Sequence, residues 1–509
     1  MALNAAIDWE VRQDGNDLNG GGYKRTAGTT DYSQQAAAQK AGADLEMHAS
    51  TNTKVKPTAA GVAAADVGNV IQISAGTNWT PGFYEITAQD GTYWTLDRSP
   101  NAAGDANLAT YKMGGALANP GTIGGIFVSG NLIYLKYSAT PYSISTATPN
   151  VAGGPLTLTA GGSTANGVVL VGYSTTRTVA NDDADRPTLT VAVGVASITV
   201  VNHGTAPHGG ARNIIVDGNA QTGIVGFANG TVRNLNHRCR AVNCASAGFS
   251  GTAGFSLACE ADTCGAGFAH LSVGCWAHDC TGTGFSTTAA FCLANGNAAG
   301  FVNAASTHFF GCIAYANTGH GFSTTDVTGT FVNCIAEANG GWGFINVYSG
   351  RLLVACAAYN NATGQFSGGT QVNCVTVTAG SVFTNAAGGD FTLNTTADRG
   401  LLLRGAGFPG TFVNGTVGAA DIGLFSNPDF PDVGNVRNND TVNGVTGELN
   451  VEALEAAAYS AGTVWQAADD ASFLEANKDE IIPADTDIEA RFGVTGTAPA
   501  GGNVIVIED

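Results

Sequence analysis

Glu260 and Asp262 stand two residues apart, and Trp276, His278 and Asp279 follow sixteen or seventeen residues later. On a β-strand, residues i and i+2 leave the same face, roughly 6.6 Å apart at the usual rise. Two carboxylates at that separation beside an aromatic platform suit an inverting glycosidase, which needs one acid, one base and room for a water. Glu260, Asp262 and Asp279 are therefore the candidate acid–base residues. Trp276 and His278 are candidates for glycan contact, together with Tyr315, Glu337 and Tyr359 further along. The same residue types allow a plainer arrangement. Arg240 precedes Glu260 by one repeat and makes a cross-strand charge pair, and His278 satisfies Asp262. Cleavage, contact without cleavage, and a merely solvated face all remain open on these residues.

What positions them is a repeat. Cys239, Cys259, Cys275, Cys292, Cys312, Cys334, Cys356 and Cys374 recur at steps of 20, 16, 17, 20, 22, 22 and 18 residues. Nine or ten residues after each of the first seven comes Phe249, Phe268, Phe285, Phe301, Phe322, Phe344 or Phe366, all but the last directly after a glycine. A period of about 20 residues marks a solenoid. Two before each cysteine lies His237, Leu257, Val273, Ala290, Phe310, Val332, Val354 or Val372; two after it lies an alanine or, last, Thr376. Read as a period of 2, this predicts a strand with the cysteine facing inward. The repeat is too short and too rich in Gly and Asn for a helical pair. The expected architecture is all-β: a right-handed parallel β-helix whose rungs stack roughly 4.8 Å apart. Asn317, Asn339 and Asn360 are expected to supply its left-handed turns. The phenylalanine column reads as core.

The outward columns change character along the stack. One residue after the cysteine stand Arg240, Glu260 and Trp276, then Leu293, Ile313 and Ile335. Phe309, Phe331 and Leu353, three before it, join the later stripe if no bend shifts the parity. Together they predict an exposed apolar ridge, covered by another copy in a trimer or by a capsid or tail protein. The alternative is that a bend turns these residues inward.

Composition narrows the class. The 509 residues carry 71 glycines but only 12 % charged residues, about half the charge usual for a globular enzyme. A formal net charge of −19 argues against nucleic acid and against an anionic membrane surface, since no basic stripe exists to meet phosphates. No apolar run approaches the roughly 18 residues of a membrane span. The start of the chain lacks the basic and apolar pattern of a signal peptide, so synthesis in a cytoplasm without export is expected. All 11 cysteines are expected to be buried free thiols. Cys239/Cys244, Cys259/Cys264 and Cys275/Cys280 are close enough to bond if oxidised. Asn181–Asp185 is an acidic loop without calcium-loop spacing, and no phosphate loop, nucleophile elbow or zinc-protease motif occurs. No cofactor and no metal are expected.

Outside the repeat, three domains are expected. Residues 1–122 form a β-rich head folded apart from the solenoid, with strands at Val70–Ser74, Phe83–Thr87 and Tyr93–Leu96. Residues 123–426 form the β-helix. Residues 427–509 hold a hairpin at Asn435–Leu449 and short helices at Glu452–Tyr459 and Ala471–Lys478. From Glu448 onward there are 13 acidic and 2 basic residues, a charge of −11. The run Ile126–Thr146 resembles the entry coil of right-handed parallel β-helix proteins. Trp9-Glu10-Val11-Arg12, Asn19-Gly20-Gly21-Gly22 and Thr30-Asp31-Tyr32-Ser33-Gln34 resemble the start of a set of phage virion proteins. DFTLN at 390–394, RGAGFP at 404–409, DIG at 421–423 and the 435–449 segment are similar to their endings. The resemblance implies a virion location, and by architecture a kinship with trimeric tailspikes and capsid-attached fibres. The expected function is therefore structural: a virion surface protein, homotrimeric, touching other virion proteins or a host glycan. A polysaccharide-depolymerising tailspike is the alternative.

Overall fold

A computed structural model describes residues 3–403, with breaks at 159–166, 178–184, 205–208, 231–233, 252, 304–307, 325–328 and 347–351, plus four two-residue strands between 409 and 446. It divides into two compact units, Met1–Asp390 with Thr395–Leu424, and Phe391–Asn394 with Phe425–Asp509. Among the described residues, no helix is long and apolar enough to cross a membrane.

Most of the first unit is a right-handed parallel β-helix. Its first wall is a 13-stranded sheet and its second an 11-stranded sheet. The third wall has four strands ending at Ala247–Ser250 and five starting at Thr283–Phe285, joined through Phe268 by single bridges to Phe249 and Phe285. From rung to rung the pairing is parallel and in register. Arg240, Ala241 and Val242 lie against Glu260, Ala261 and Asp262, which lie against Trp276, Ala277 and His278. Cys312, Cys334 and Cys356 are thus one column, as the repeat requires.

The strand through each cysteine is shorter than the period of 2 predicts. The residue just before it takes a left-handed conformation, as at Arg238 (φ 52°), Ala258, Phe291, Asn333, Ala355 and Asn373. That corner reverses the parity between the first and second walls. The residue two before the cysteine therefore faces out, and the residue three before it faces in: Ser256 is buried between the half-buried Phe255 and Leu257. A second left-handed corner falls four residues after the cysteine, at Asn243, Thr263, Asp279, Ala316, Ala338 and Asn360. Asn360 fills the turn role expected of it. Asn317 and Asn339 do not. They sit one residue further on, buried inside the coil. The left-handed corners cost non-glycine residues about 1–2 kcal/mol each, so stacking of neighbouring rungs must hold them.

The interior explains the repeated Gly-Phe pair. From Phe227 to Phe366 consecutive phenylalanine rings stack 4.6–5.2 Å apart with planes within 9°. The preceding glycine lies where the coil is narrowest. A Cβ on Gly321 would sit 2.8 Å from the Asn339 amide nitrogen and 2.9 Å from the Gly343 oxygen. All 11 cysteines are free, ten of them buried and Cys374 half-buried. Their thiols donate to backbone carbonyls of their own and neighbouring rungs, as Cys312 Sγ does to Ala289 O and Phe310 O.

At the N-terminal end, a closed six-stranded barrel runs from Lys40–Met47 to Ala109–Met113 around Trp94, Tyr111 and Trp79. The three expected head strands are in it, as Val70–Gly76, Gly82–Gln89 and Trp94–Leu96. The head does not begin at residue 1. Ile7–Val11 is a strand of the first wall, parallel to Leu132–Lys136, and Trp9 joins the solenoid core with Val70 and Phe83 of the barrel. Ile7, Trp9 and Val11 alternate along this strand and are fully buried as its first rung. Its Glu10 is fully buried against Arg177 Nε at 2.9 Å, and Arg177 Nη1 reaches Asp31 at 2.8 Å. Burial pushes the Glu10 carboxyl up to about 7, against the pull of Arg177.

In the second unit, Thr441–Val442 pairs antiparallel with Val445–Thr446, inside the segment read as a hairpin. The expected helices at 452–459 and 471–478, the motifs at 404–408 and 421–423, and residues 181–184 of the acidic loop lie outside the described residues.

Candidate functional site

The second wall carries the candidate site on its outer face. Arg240–Val242, Glu260–Asp262 and Trp276–His278 are three successive rungs there, each burying its central alanine and presenting its flanking residues outward. The structure thus brings together Glu260, Asp262, Trp276, His278 and Asp279.

They form a closed ion cluster. Arg240 reaches both carboxylates, Asp262 Oδ2 at 2.7 Å through Nη2 and Glu260 Oε1 at 3.2 Å through Nε. His278 Nε2 lies 3.0 Å from Glu260 Oε1, and its Nδ1 lies 3.0 Å from Asp279 Oδ2 and 3.5 Å from Asp262 Oδ1. With acceptors at both ring nitrogens, the imidazole is held as imidazolium. Burial alone would lower its pKa, but the hydrogen bonds to Glu260 and Asp279 and the charges of Asp262 and Glu260 push it up to about 9. For Asp262 burial would raise the pKa. The hydrogen bonds from Thr263 and Arg240 and the charges of His278 and Arg240 outweigh it, and the carboxyl is held below its ordinary range. Trp276 leans over the imidazolium, ring centroids 4.2 Å apart at 33°, and its Nε1 donates to Asn295 Oδ1. Trp276 remains 39 % exposed.

One carboxylate oxygen each of Glu260 and Asp262 lies within 4.8 Å of the other, closer than the roughly 6.5–9.5 Å of an inverting pair and nearer the roughly 5–5.5 Å of a retaining one. A general acid needs a raised pKa, and that of Asp262 is lowered. A base needs a free lone pair, and both ring nitrogens of His278 face carboxylates. One atom each from Glu260, Asp262 and His278 could converge on a metal ion. The guanidinium of Arg240 already occupies that role as the counter-charge, and the imidazolium would repel a cation.

The remaining candidates are dispersed. Glu337 is buried and accepts a hydrogen bond from Val382 N at 3.0 Å. Burial raises its pKa, although the Ser381 hydroxyl and the Val382 N–H pull the other way. Tyr315 is half-buried edge-on to Phe383, centroids 6.4 Å apart, and Tyr359 is half-buried. The chain after the last rung has returned along the outside of the second wall and covers this face. A glycan has no access to Glu337 there. The predicted apolar ridge is absent. Ile313 and Ile335 are fully buried and Leu293 is 7 % exposed. Phe309, Phe331 and Leu353 are inside the coil, turned there by the left-handed corner before each cysteine. None of the six is available to a partner.

Two features escaped the sequence reading. One is a buried asparagine column, Asn297, Asn317, Asn339 and Asn361, in register with Cys244, Cys264 and Cys280. The signal was present: each of these residues lies five after a column cysteine. The other is the outer face of the first wall, where Leu271, Phe310, Leu352 and Val372 are each more than a third exposed. Finding it requires the corner parity, which spacing alone does not give.

No family model matches the chain, and no curated protein matches it. Solved structures with a similar fold include the A-module of a mannuronan C-5 epimerase of Azotobacter vinelandii, at 15 % identity and a TM-score of 0.31, over 51 % of this chain and 74 % of that one. A pectate lyase aligns at 15 % identity and a TM-score of 0.32, over 61 % of this chain and 91 % of its own. An open-reading-frame product of Geobacillus virus E2 aligns at 10 % identity and a TM-score of 0.29, over 58 % and 66 %.

Proposed function

We propose that this chain is a non-enzymatic surface protein of a phage particle: a rigid β-helical body that engages neighbouring particle proteins or a host-surface glycan. The observation that carries the non-enzymatic part is the closed cluster on the second wall. Each candidate acid or base is committed to a partner of opposite charge, so none is poised for proton transfer. What the cluster leaves free is the outer surface of Trp276, a flat aromatic face fixed by the Asn295 hydrogen bond. That suits stacking on a sugar ring without cutting it. The particle location is supported by the resemblance of the two ends of the chain to phage virion proteins.

The test has two arms. Mass spectrometry of purified particles should find this chain, and its absence from them overturns the location. Incubation of the purified protein with host capsule or lipopolysaccharide should show binding that Trp276→Ala weakens, with no new reducing ends. Sugar release that disappears in Glu260→Gln or Asp262→Asn would establish the depolymerase instead.

A further inference from the structure

We propose that the early coils carry an acid-sensitive breakpoint: a relay of buried side chains between His203 and His270 that holds only while both imidazoles are neutral. The inward column of the first wall runs Ala211, Asn236, Ser256, Ser272 and Ala289 in register, so three fully buried polar residues interrupt it. His203 and Asn229 follow the third-wall strands Thr199–Asn202 and Val225–Ala228, and His270 follows the bridge residue Phe268. His203 Nε2 lies 2.9 Å from Asn236 Oδ1, and Asn236 Nδ2 donates to Asn229 Oδ1 at 3.2 Å. Asn229 Nδ2 in turn lies 3.3 Å from His270 Nε2, with Ser256 Oγ 2.7 Å from the same nitrogen.

The relay has a direction. An amide nitrogen only donates and an amide oxygen only accepts. His203 therefore donates through Nε2 and His270 accepts through Nε2. A second proton on His270 would set an N–H against the Asn229 N–H. On His203 it would go to Nδ1, which is buried with no partner among the described residues. The groups packed on the two rings are Asn229, Asn236, Ser256, the backbone at Ser250 and Gly251, and the edge of Phe249. Among the described residues, the one charge-bearing group acting on either ring is the other ring. A cation formed here would be buried with no counter-charge. Burial holds both rings down at about 4. The third wall is also interrupted here, between Ala247–Ser250 and Thr283–Phe285. Solenoid coils open locally, so protonation parts these coils and not the whole chain. This share of stability is whole above pH ~6.5 and is lost as pH falls from there through about 4. Asp262, whose pKa is lowered, titrates below that window. None of this depends on whether the chain belongs to a particle.

Hydrogen exchange of the full chain, corrected for the intrinsic rate, reads the opening. As pH falls through the window, the strands Leu235–His237, Phe255–Leu257 and Leu271–Val273 should open up to ~100-fold more readily per pH unit, because opening takes up two protons. His203→Gln or His270→Gln should each leave ~tenfold per unit, and the double variant almost none. Glutamine keeps an amide that can donate at the first site and accept at the second. If a variant fails to fold, imidazole NMR of the wild type answers instead: both rings should stay neutral below pH ~6 for as long as these coils remain protected. Either ring titrating near pH ~6.5 in closed coils overturns the proposal. So does protection that does not change across the window, an equal slope in the barrel or in the coils around Cys334, or a double variant as acid-sensitive as the wild type.

Discussion

The coils around Cys239–Cys280 and those around Cys292–Cys374 share one backbone and solve two problems differently. In the early coils the inner column five residues after the cysteine is Cys244, Cys264 and Cys280, and the outer face of the second wall is charged. In the later coils that inner column is Asn297, Asn317, Asn339 and Asn361, and on the outer face Ile313, Ile335 and Glu337 are buried, with Val382 and Phe383 of the returning chain at Glu337 and Tyr315. A thiol can be buried as a small apolar group. A buried amide must find partners for every donor and acceptor, and here each rung supplies the next. Asn317 Nδ2 donates to Ala294 O at 3.0 Å and Asn339 Oδ1 at 2.9 Å, and Asn339 Nδ2 donates to Ala314 O at 3.1 Å and Asn361 Oδ1 at 2.7 Å. Gln365 Oε1 closes the row at 2.8 Å from Asn361 Nδ2, and Cys280 N opens it by donating to Asn297 Oδ1 at 3.0 Å. The early half is therefore held inside by packing and outside by ions. The later half is held inside by a hydrogen-bonded row and outside by burial.

The largest expected effect breaks the later half from outside. Ile335→Asp places a charge with no partner under the returning segment, and should cost on the order of 3–5 kcal/mol. Hydrogen exchange should show the coils from Cys312 onward opening first while the barrel stays protected, because a solenoid loses stability locally. A variant that stays folded and merely changes its assembly would mean that Ile335 faces a partner after all.

Next comes the inner column. Asn317→Leu removes the amide donor to Ala294 O and the acceptor of Asn297 N and Nδ2. It should cost about 2–4 kcal/mol, since several buried groups lose partners at once. Cys264→Ala, in the same column of the early coils, removes one sulfur from an apolar cavity and should cost about 1 kcal/mol. Equal losses in thermal melts would show that the row of amides is not what distinguishes the two halves.

The outer faces separate by pH. His278, raised to about 9 in the folded chain, contributes stability that is whole below its ordinary pKa and fades as pH rises through about 9. Asp262, lowered, contributes stability that is whole above its ordinary pKa and fades as pH falls through its depressed one. The early coils should therefore lose protection between roughly pH 6.5 and 9, and His278→Gln should flatten that slope. Glu337 in the later coils is shifted the other way, with its carboxyl raised by burial. A slope equally steep in the later coils would remove the ion cluster as its source.

How much of this the sequence carries follows from which contacts are periodic. The cysteine and Gly-Phe columns are legible because stacking repeats each requirement once per coil, and the strand, the inward alanine and the ring stack all follow from that. The Glu260–Asp262–His278 grouping is legible too, as residues one rung apart on one face. What failed was local. Left-handed Ala258, Phe291 and Ala355 carry no turn signal in their residue type, so the corner went unseen, and with it the inward turn of Phe309, Phe331 and Leu353. The contacts of Val382 with Glu337 and of Phe383 with Tyr315, beside the buried Ile313 and Ile335, do not repeat, and no period announces them.

The smallest effect concerns the one column common to both halves. Eight cysteines run through early and late coils alike, and all but Cys374 are buried. A thiol reacts where a reagent can reach it, so burial protects it. Cys374 differs only in standing on the last rung, where the neighbouring Val372 is 41 % exposed and no further rung covers its side of the sheet. A small alkylating reagent on the native chain should label Cys374 first and leave the other ten unmodified until denaturant opens the coils. Mass spectrometry after digestion resolves this site by site. Early labelling of Cys244, Cys264 or Cys280 would mean that the thiol side of the column opens more readily than the asparagine side. The hydrogen-bonded row would then be what closes the later coils.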